Sequence, residues 1–144
     1  MAFIVRKGAD PRNYKKVTIS SITVTFGELL ENVGGATTWT EPTATSNHFT
    51  RKAIAQEATS TSETSVLVYE LDGTEDVEAL ATNTANAAHN GDLMVLTDSN
   101  TVNNTGTTSS TEYACFVQDK VGLDTTHIIG RVLVGDGVNP DATT

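Results

Sequence analysis

The sequence predicts a mainly β protein: a small β-rich body of two pseudo-repeats joined by a short helix, preceded by an extended N-terminal arm. Three observations lead there. Threonine is about one residue in six, and with Val and Ile it supplies the β-branched chemistry that suits pleated, half-buried surfaces. Apolar residues fall in short runs separated by Ser, Thr, Gly and Asn clusters, the pattern of strands and turns. The third observation is an internal echo. Gly27-Glu28-Leu29-Leu30, a Thr-rich loop, Ala53-Ile54-Ala55-Gln56-Glu57 and Val66-Leu67-Val68 are matched by a later series. That series is Gly91-Asp92-Leu93-Met94, a Thr/Asn-rich loop, Cys115-Phe116-Val117-Gln118-Asp119 and Ile128-Ile129-Gly130. In both copies a Gly and an acid open a strand, and the Gln lies ten residues before the closing apolar run (56 to 66, 118 to 128). A repeated all-β unit points to a structural or binding protein before it points to an enzyme.

Taken in order, residues 1–16 read as the arm. A short apolar tip (Phe3, Ile4, Val5) precedes Arg6, Lys7, Arg12, Tyr14, Lys15 and Lys16, and Gly8 and Pro11 favour extended chain over helix. Residues 17–134 form the body. Val17, Ile19, Ile22, Val24 and Phe26 alternate with Ser and Thr, with a phase slip at Ser20-Ser21 that reads as a bulge in the first body strand. A long polar loop follows, carrying Gly34-Gly35, Pro42 and Trp39; the indole is either a plug over the core or a contact residue on the surface. Further strands are expected near residues 49–55, 66–71, 93–96, 113–117 and 128–134. The one segment that departs from this pattern is 74–80, where Thr74 as cap, Glu75, Asp76 and Glu78 in the first turns and Ala79-Leu80 after them predict a short helix between the repeats. Residues 135–144 are expected to be a loose tail.

Charge is distributed unevenly. The chain carries a formal net charge of -9. Residues 1–16 nevertheless hold five bases against Asp10, for +4, and the rest holds 4 bases against 17 acids, for -13. A basic head on an acidic body suggests an interaction segment that clamps an anionic surface. Nucleic acid is disfavoured as that surface, because phosphates would be repelled by the acidic body, and a protein partner is expected. No stretch approaches the ~18–20 apolar residues that span a bilayer, and residues 1–5 followed by Arg6-Lys7 lack the layout of a signal peptide, so a soluble, unprocessed chain without a membrane partner is expected.

Residues that could carry chemistry are sparse. His48, His89 and His127 have no spacing that sets two on one face, and each reads as a loop histidine. Phosphate loops, nucleophile elbows and Cys pairs are lacking, and the single Cys115 reads as a buried core residue. Asp98-Ser99-Asn100-Thr101-Val102-Asn103 opens like a calcium loop, but Asn103 replaces the required Gly and Ser109 the closing Glu, so an Asx-rich turn is expected. Asp72-Gly73-Thr74 and Asp136-Gly137 are likewise turn chemistry. Glu57 and Asp119 occupy equivalent places in the two copies and read as symmetric surface acids. The expectation is a protein that is not an enzyme and needs no cofactor or metal.

The Gly91-to-Leu96 opening with the Thr/Asn-rich stretch after it, the Ala114-to-Val117 and Ile128-to-Leu133 closing strands, and the N-terminal arm before a Thr-rich first half resemble the head decoration, or cement, proteins of tailed bacteriophages. That resemblance implies a β-tulip-like or small β-barrel body, a homotrimer on the outer surface of the virion's expanded capsid, and the major capsid protein as partner. Phe3, Ile4, Val5, Arg6, Lys7, Arg12, Tyr14, Lys15 and Lys16 would then be the capsid-binding arm, adding an edge strand to a neighbour. The alternatives are a phage tail or fibre component and a carbohydrate-binding β-module using Trp39 and Tyr113 as stacking platforms.

Overall fold

In the computed structural model, which describes residues 2–105 and 113–135, ten strands build two open antiparallel sheets. They are β1 (Phe3–Lys7), β2 (Tyr14–Thr18), β3 (Leu29–Asn32), β4 (Arg51–Ala55), β5 (Ser65–Glu70), β6 (Asp76–Leu80), β7 (Leu93–Leu96), β8 (Val102–Asn103), β9 (Phe116–Val121) and β10 (His127–Val132). Sheet I has the order β1-β6-β10-β9-β7-β8 and sheet II the order β2-β5-β4-β3. The mainly β expectation therefore holds, with two stacked sheets in place of a closed barrel. The expected tail over 136–144, the Asp136-Gly137 turn and Ser109 lie outside the described residues.

The echo in the sequence is a repeated topology. Setting aside the two-residue β8, which pairs outside β7, the units β2-β5-β4-β3 and β6-β10-β9-β7 have the same strand order, in which the last three strands lie side by side and the first strand lies beside the last, a Greek-key arrangement. The match extends to individual hydrogen bonds. Gly27 N–H donates to the Ala55 carbonyl at 2.8 Å and Gly91 N–H to the Gln118 carbonyl at 2.7 Å; in return, Ala55 N–H donates to Glu28 O and Gln118 N–H to Asp92 O. Both opening glycines sit at positive φ (87° and 89°), which a side chain would strain. Structurally Gln118 matches Ala55, one residue from the Gln56 that the sequence echo suggests, because the two loops differ in length.

Residues 76–80 are a strand, which corrects the helix expected there. β6 pairs with β1 on one side and β10 on the other. Val77 and Ala79 are buried while Asp76, Glu78 and Leu80 are half-exposed, a period of two that the helix-favouring composition masked. Glu75 is no helix-turn acid: its buried carboxylate accepts the Asp72 and Gly73 N–H groups and the Tyr69 hydroxyl (2.8 Å), which fixes the Asp72-Gly73 turn. The first body strand ends at Thr18, and Ser21 adopts φ 54°, so the phase slip marks a break in the strand. Beyond it Ile19 and Val24 are laid over sheet II, where Val24 and Thr59 exchange hydrogen bonds.

Sheet II is buried on both faces. Its inner face (Leu29, Ile54, Tyr69) meets Phe3, Val77, Ala79, Met94, Phe116 and Ile128 of sheet I in the main core. Its outer face (Val17, Leu30, Ala53, Ala55, Val66, Val68) is covered by Ile19, Val24 and Trp39 in a second core. Strand alternation sends successive residues to opposite sides, so Leu29 and Leu30 serve different cores. Trp39 is thus a plug, 5% exposed, with the Arg51 guanidinium 5.3 Å above its ring. Gly130 lies at the β9–β10 bulge, where any Cβ would collide with the Val117 carbonyl.

Candidate interaction surface at the N-terminal edge strands

The structure does not leave residues 1–16 as a free arm. They provide an edge strand to each sheet, β1 at the border of sheet I and β2 at the border of sheet II. Phe3 is completely buried and Ile4 and Val5 are half-buried, because the alternating tip finds its apolar partner in its own sheet, opposite Ala79, Glu78 and Val77. Tyr14 is half-exposed and packs edge-on against Tyr69, with ring centroids 5.0 Å apart. The cationic clamp is largely neutralised within the chain. Arg6 pairs with Glu78, Arg12 with Asp10 (2.8 Å), Lys15 with Glu70 and Lys16 with Glu57 (3.1 Å), and only Lys7 of the five has no such partner among the described residues. Burial alone would raise the Glu70 carboxyl, but hydrogen bonds from Arg51 and Lys15 outweigh it and hold Glu70 below the ordinary carboxylate value.

What these strands still present is backbone. Leu67 lies opposite Lys16 in the β2–β5 register, yet it directs its N–H to the Glu57 carboxylate (2.8 Å) and its carbonyl to Gln56 N–H (2.8 Å), away from β2. The peptide groups of Lys16, and of Tyr14 two residues earlier, therefore face outward from the sheet. Of the β2 groups facing that way, only the Thr18 carbonyl is taken among the described residues, by Trp39 N–H at 2.8 Å. The opposite border of sheet II is closed, since Thr40 and Glu31 exchange N–H and carbonyl groups along β3. An open cleft of about 440 Å³ beside β2 is lined by Asn13, Lys15, Arg51, Glu70, Asp72 and Val134.

Two polar clusters, one buried and one reaching from buried Glu28 and Ser99 to exposed Glu41, escaped the sequence reading. Lys52, fully buried on β4, donates to the Asn47 and Leu133 carbonyls (2.7 Å each) and so ties the loop before β4 to the end of β10. Burial lowers its pKa, and the nearby Glu31 carboxylate, itself held by Ser46 and Thr50, opposes that shift. Cys115 lies beside it, its thiol pushed up to about 11 chiefly by burial. The second cluster joins Glu28, Ser99 and Glu41. The Ser99 hydroxyl is 2.6 Å from the Glu28 carboxylate and 3.3 Å from that of Glu41, so one hydroxyl proton stands between two acids. Burial would raise Glu28, but hydrogen bonds from Glu41, Ser99 and Thr25 outweigh it and lower its pKa; Glu41 is pushed up to about 7 by the Glu28 contact, by burial and by the Glu28 charge. Glu41 gives no signal in a polar loop, and Lys52 looks like any strand lysine.

The remaining candidates have neighbours within the fold. His48 stacks on Phe49, and His89 and His127 contact Asp92 (3.0 Å) and Asp124 (2.8 Å). Asp98 accepts from Asn100 N–H and the Thr101 hydroxyl, the Asx turn expected of that stretch. Trp39, as a core plug, offers no open face for sugar stacking, whereas Tyr113 is exposed. No protein-family model, curated protein or solved structure matches the chain.

Proposed function

We propose that this chain is a non-enzymatic structural protein that decorates the outer surface of an expanded tailed-phage capsid and stabilises the shell, binding the major capsid protein as a homotrimer. The observation that supports this reading is the placement of the N-terminal segment. On an acidic molecule it sets Lys7 on the border of sheet I, Lys15 and Lys16 on that of sheet II and Arg12 in the turn between them, and the β2 border keeps outward-facing peptide groups. Many weak contacts of this kind, repeated over a lattice, add up to a large stabilisation of the shell. The binding element is then a folded border of the body, and a chain cut before Val17 would lose two strands along with its contacts.

Co-sedimentation with expanded, undecorated capsids tests the proposal. Saturable binding by the intact protein is expected. A triple variant with Lys7, Arg12 and Lys15 changed to Ala, confirmed as folded by circular dichroism, should bind at least about tenfold more weakly, because rim charges steer and hold such contacts. Failure of the intact protein to sediment with capsids would refute the decoration role.

A further inference from the structure

The two Greek-key units differ in how they finish their first strand. In the second unit the outer border of β6 is covered by β1, which pairs antiparallel with it from Phe3↔Ala79 to Lys7↔Asp76. In the first unit the equivalent strand is β2, since β2 lies beside β5 as β6 lies beside β10. Register makes the equivalence residue by residue. Val68 pairs with Lys15 and Gly130 with Val77, and Val68 and Gly130 lie opposite Ala55 and Gln118, the matched ends of the two glycine bridges. Lys15 therefore corresponds to Val77, and Lys16 to Glu78.

We propose that the outer border of β2 is a strand-addition site for an acidic, extended segment of a partner protein, which takes the place there that β1 takes on β6. On β6 the position that receives the added strand's Arg6 is Glu78, and the two form an ion pair. On β2 the matching position is Lys16, whose exposed ammonium meets Glu57 at 3.1 Å, so the complementary strand carries, where β1 carries Arg6, a carboxylate that competes with Glu57 for it. The peptide groups of Tyr14 and Lys16 supply its ladder, and the half-exposed Tyr14 ring gives an apolar neighbour. A second copy of this chain is the wrong occupant: two β2 borders meeting antiparallel would set lysines against lysines. This site deepens the capsid reading, and its test contains no capsid, so the two can fail separately.

The test is amide chemical-shift mapping on the ¹⁵N-labelled full chain with two synthetic peptides, Ac-Thr-Val-Glu-Val-Thr-NH₂ and its Lys-centred counterpart. The acidic peptide is expected to shift the Tyr14 and Lys16 amides and slow their hydrogen exchange, with an effect that weakens as salt rises; the Lys-centred peptide should give at most a tenth of that affinity. Lys16→Pro removes the outward donor without removing a bond to β5, and it should abolish the response while Lys16→Arg retains it. Shifts confined to other surfaces, equal response to both peptides, or an unchanged response in Lys16→Pro would overturn the proposal. Loss of the peptide response in Lys16→Pro with capsid binding intact would place capsid contacts elsewhere and leave this site standing.

Discussion

Replacing Phe3 by Ala distinguishes a core strand from a detachable arm. The ring is fully buried in the main core among Val77, Ala79, Phe116 and Ile128, and its own N–H is bonded to the Gly27 carbonyl at 3.0 Å. Truncating a buried Phe to Ala costs about 3–5 kcal/mol, the sum of lost transfer energy and the cavity left behind. The position lies close to the chain end, where β1 can relax into the space, so the lower figure, about 3 kcal/mol, is expected. Against a total of about 5–15 kcal/mol that is a large share of the stability, and for a domain of this size it lowers Tm by about 10 °C. Urea unfolding followed by far-UV circular dichroism reads the change directly, with Lys7→Ala on the same strand as the control, expected within about 0.5 kcal/mol of the parent. If Phe3→Ala costs less than about 1 kcal/mol with an unchanged denaturant slope, β1 does not contribute to the folded body and the integrated-border account is wrong.

Other perturbations test other parts of the fold. Gly130→Ala should destabilise by more than about 2 kcal/mol, because its Cβ meets the rigid Val117 carbonyl with no flexible side chain to give way; a near-neutral thermal shift would refute the bulge geometry. Lys52→Met keeps the volume but strands the Asn47 and Leu133 carbonyls in the interior, and a loss of about 2–3 kcal/mol in urea is expected; an unchanged midpoint would show that the charge costs as much as its bonds return. For pH, the raised Glu41 value means that its contribution is complete below the ordinary glutamate range and is lost as pH rises through about 7. Glu41 is solvent-facing, so screening limits the effect to about 1 kcal/mol. The stability difference between the parent and Glu41→Gln should therefore move in favour of the variant between pH 5.5 and 8.5, and a pH-independent difference in urea midpoints would contradict the shared-proton geometry.

The parts legible in the sequence were those where one local rule acted alone. Gly27 and Gly91 marked equivalent positive-φ turns because nothing but glycine is easy there, and Leu93–Leu96 was placed to the residue because turn signals bound it on both sides. The Asp76–Leu80 strand was missed because two rules disagreed. Acids after a threonine favour a helix start, whereas Val77 and Ala79 alternate with polar residues, and the pairing available on both flanks from β1 and β10 decided in favour of the strand. The N-terminal segment shows the same competition on a larger scale. Its composition describes an arm, and only the positions of Glu57, Glu70 and Glu78, brought near by strands far along the chain, determine that Arg6, Lys15 and Lys16 find partners at home. Long-range pairing also made the Lys52 and Glu28–Ser99–Glu41 clusters invisible, since their members come from segments up to 81 residues apart. The repeat is the one long-range feature that the sequence does carry. It gives the structure an internal standard, because a border paired with a strand in one unit and without one among the described residues in the other identifies an opening that no single strand's sequence could reveal.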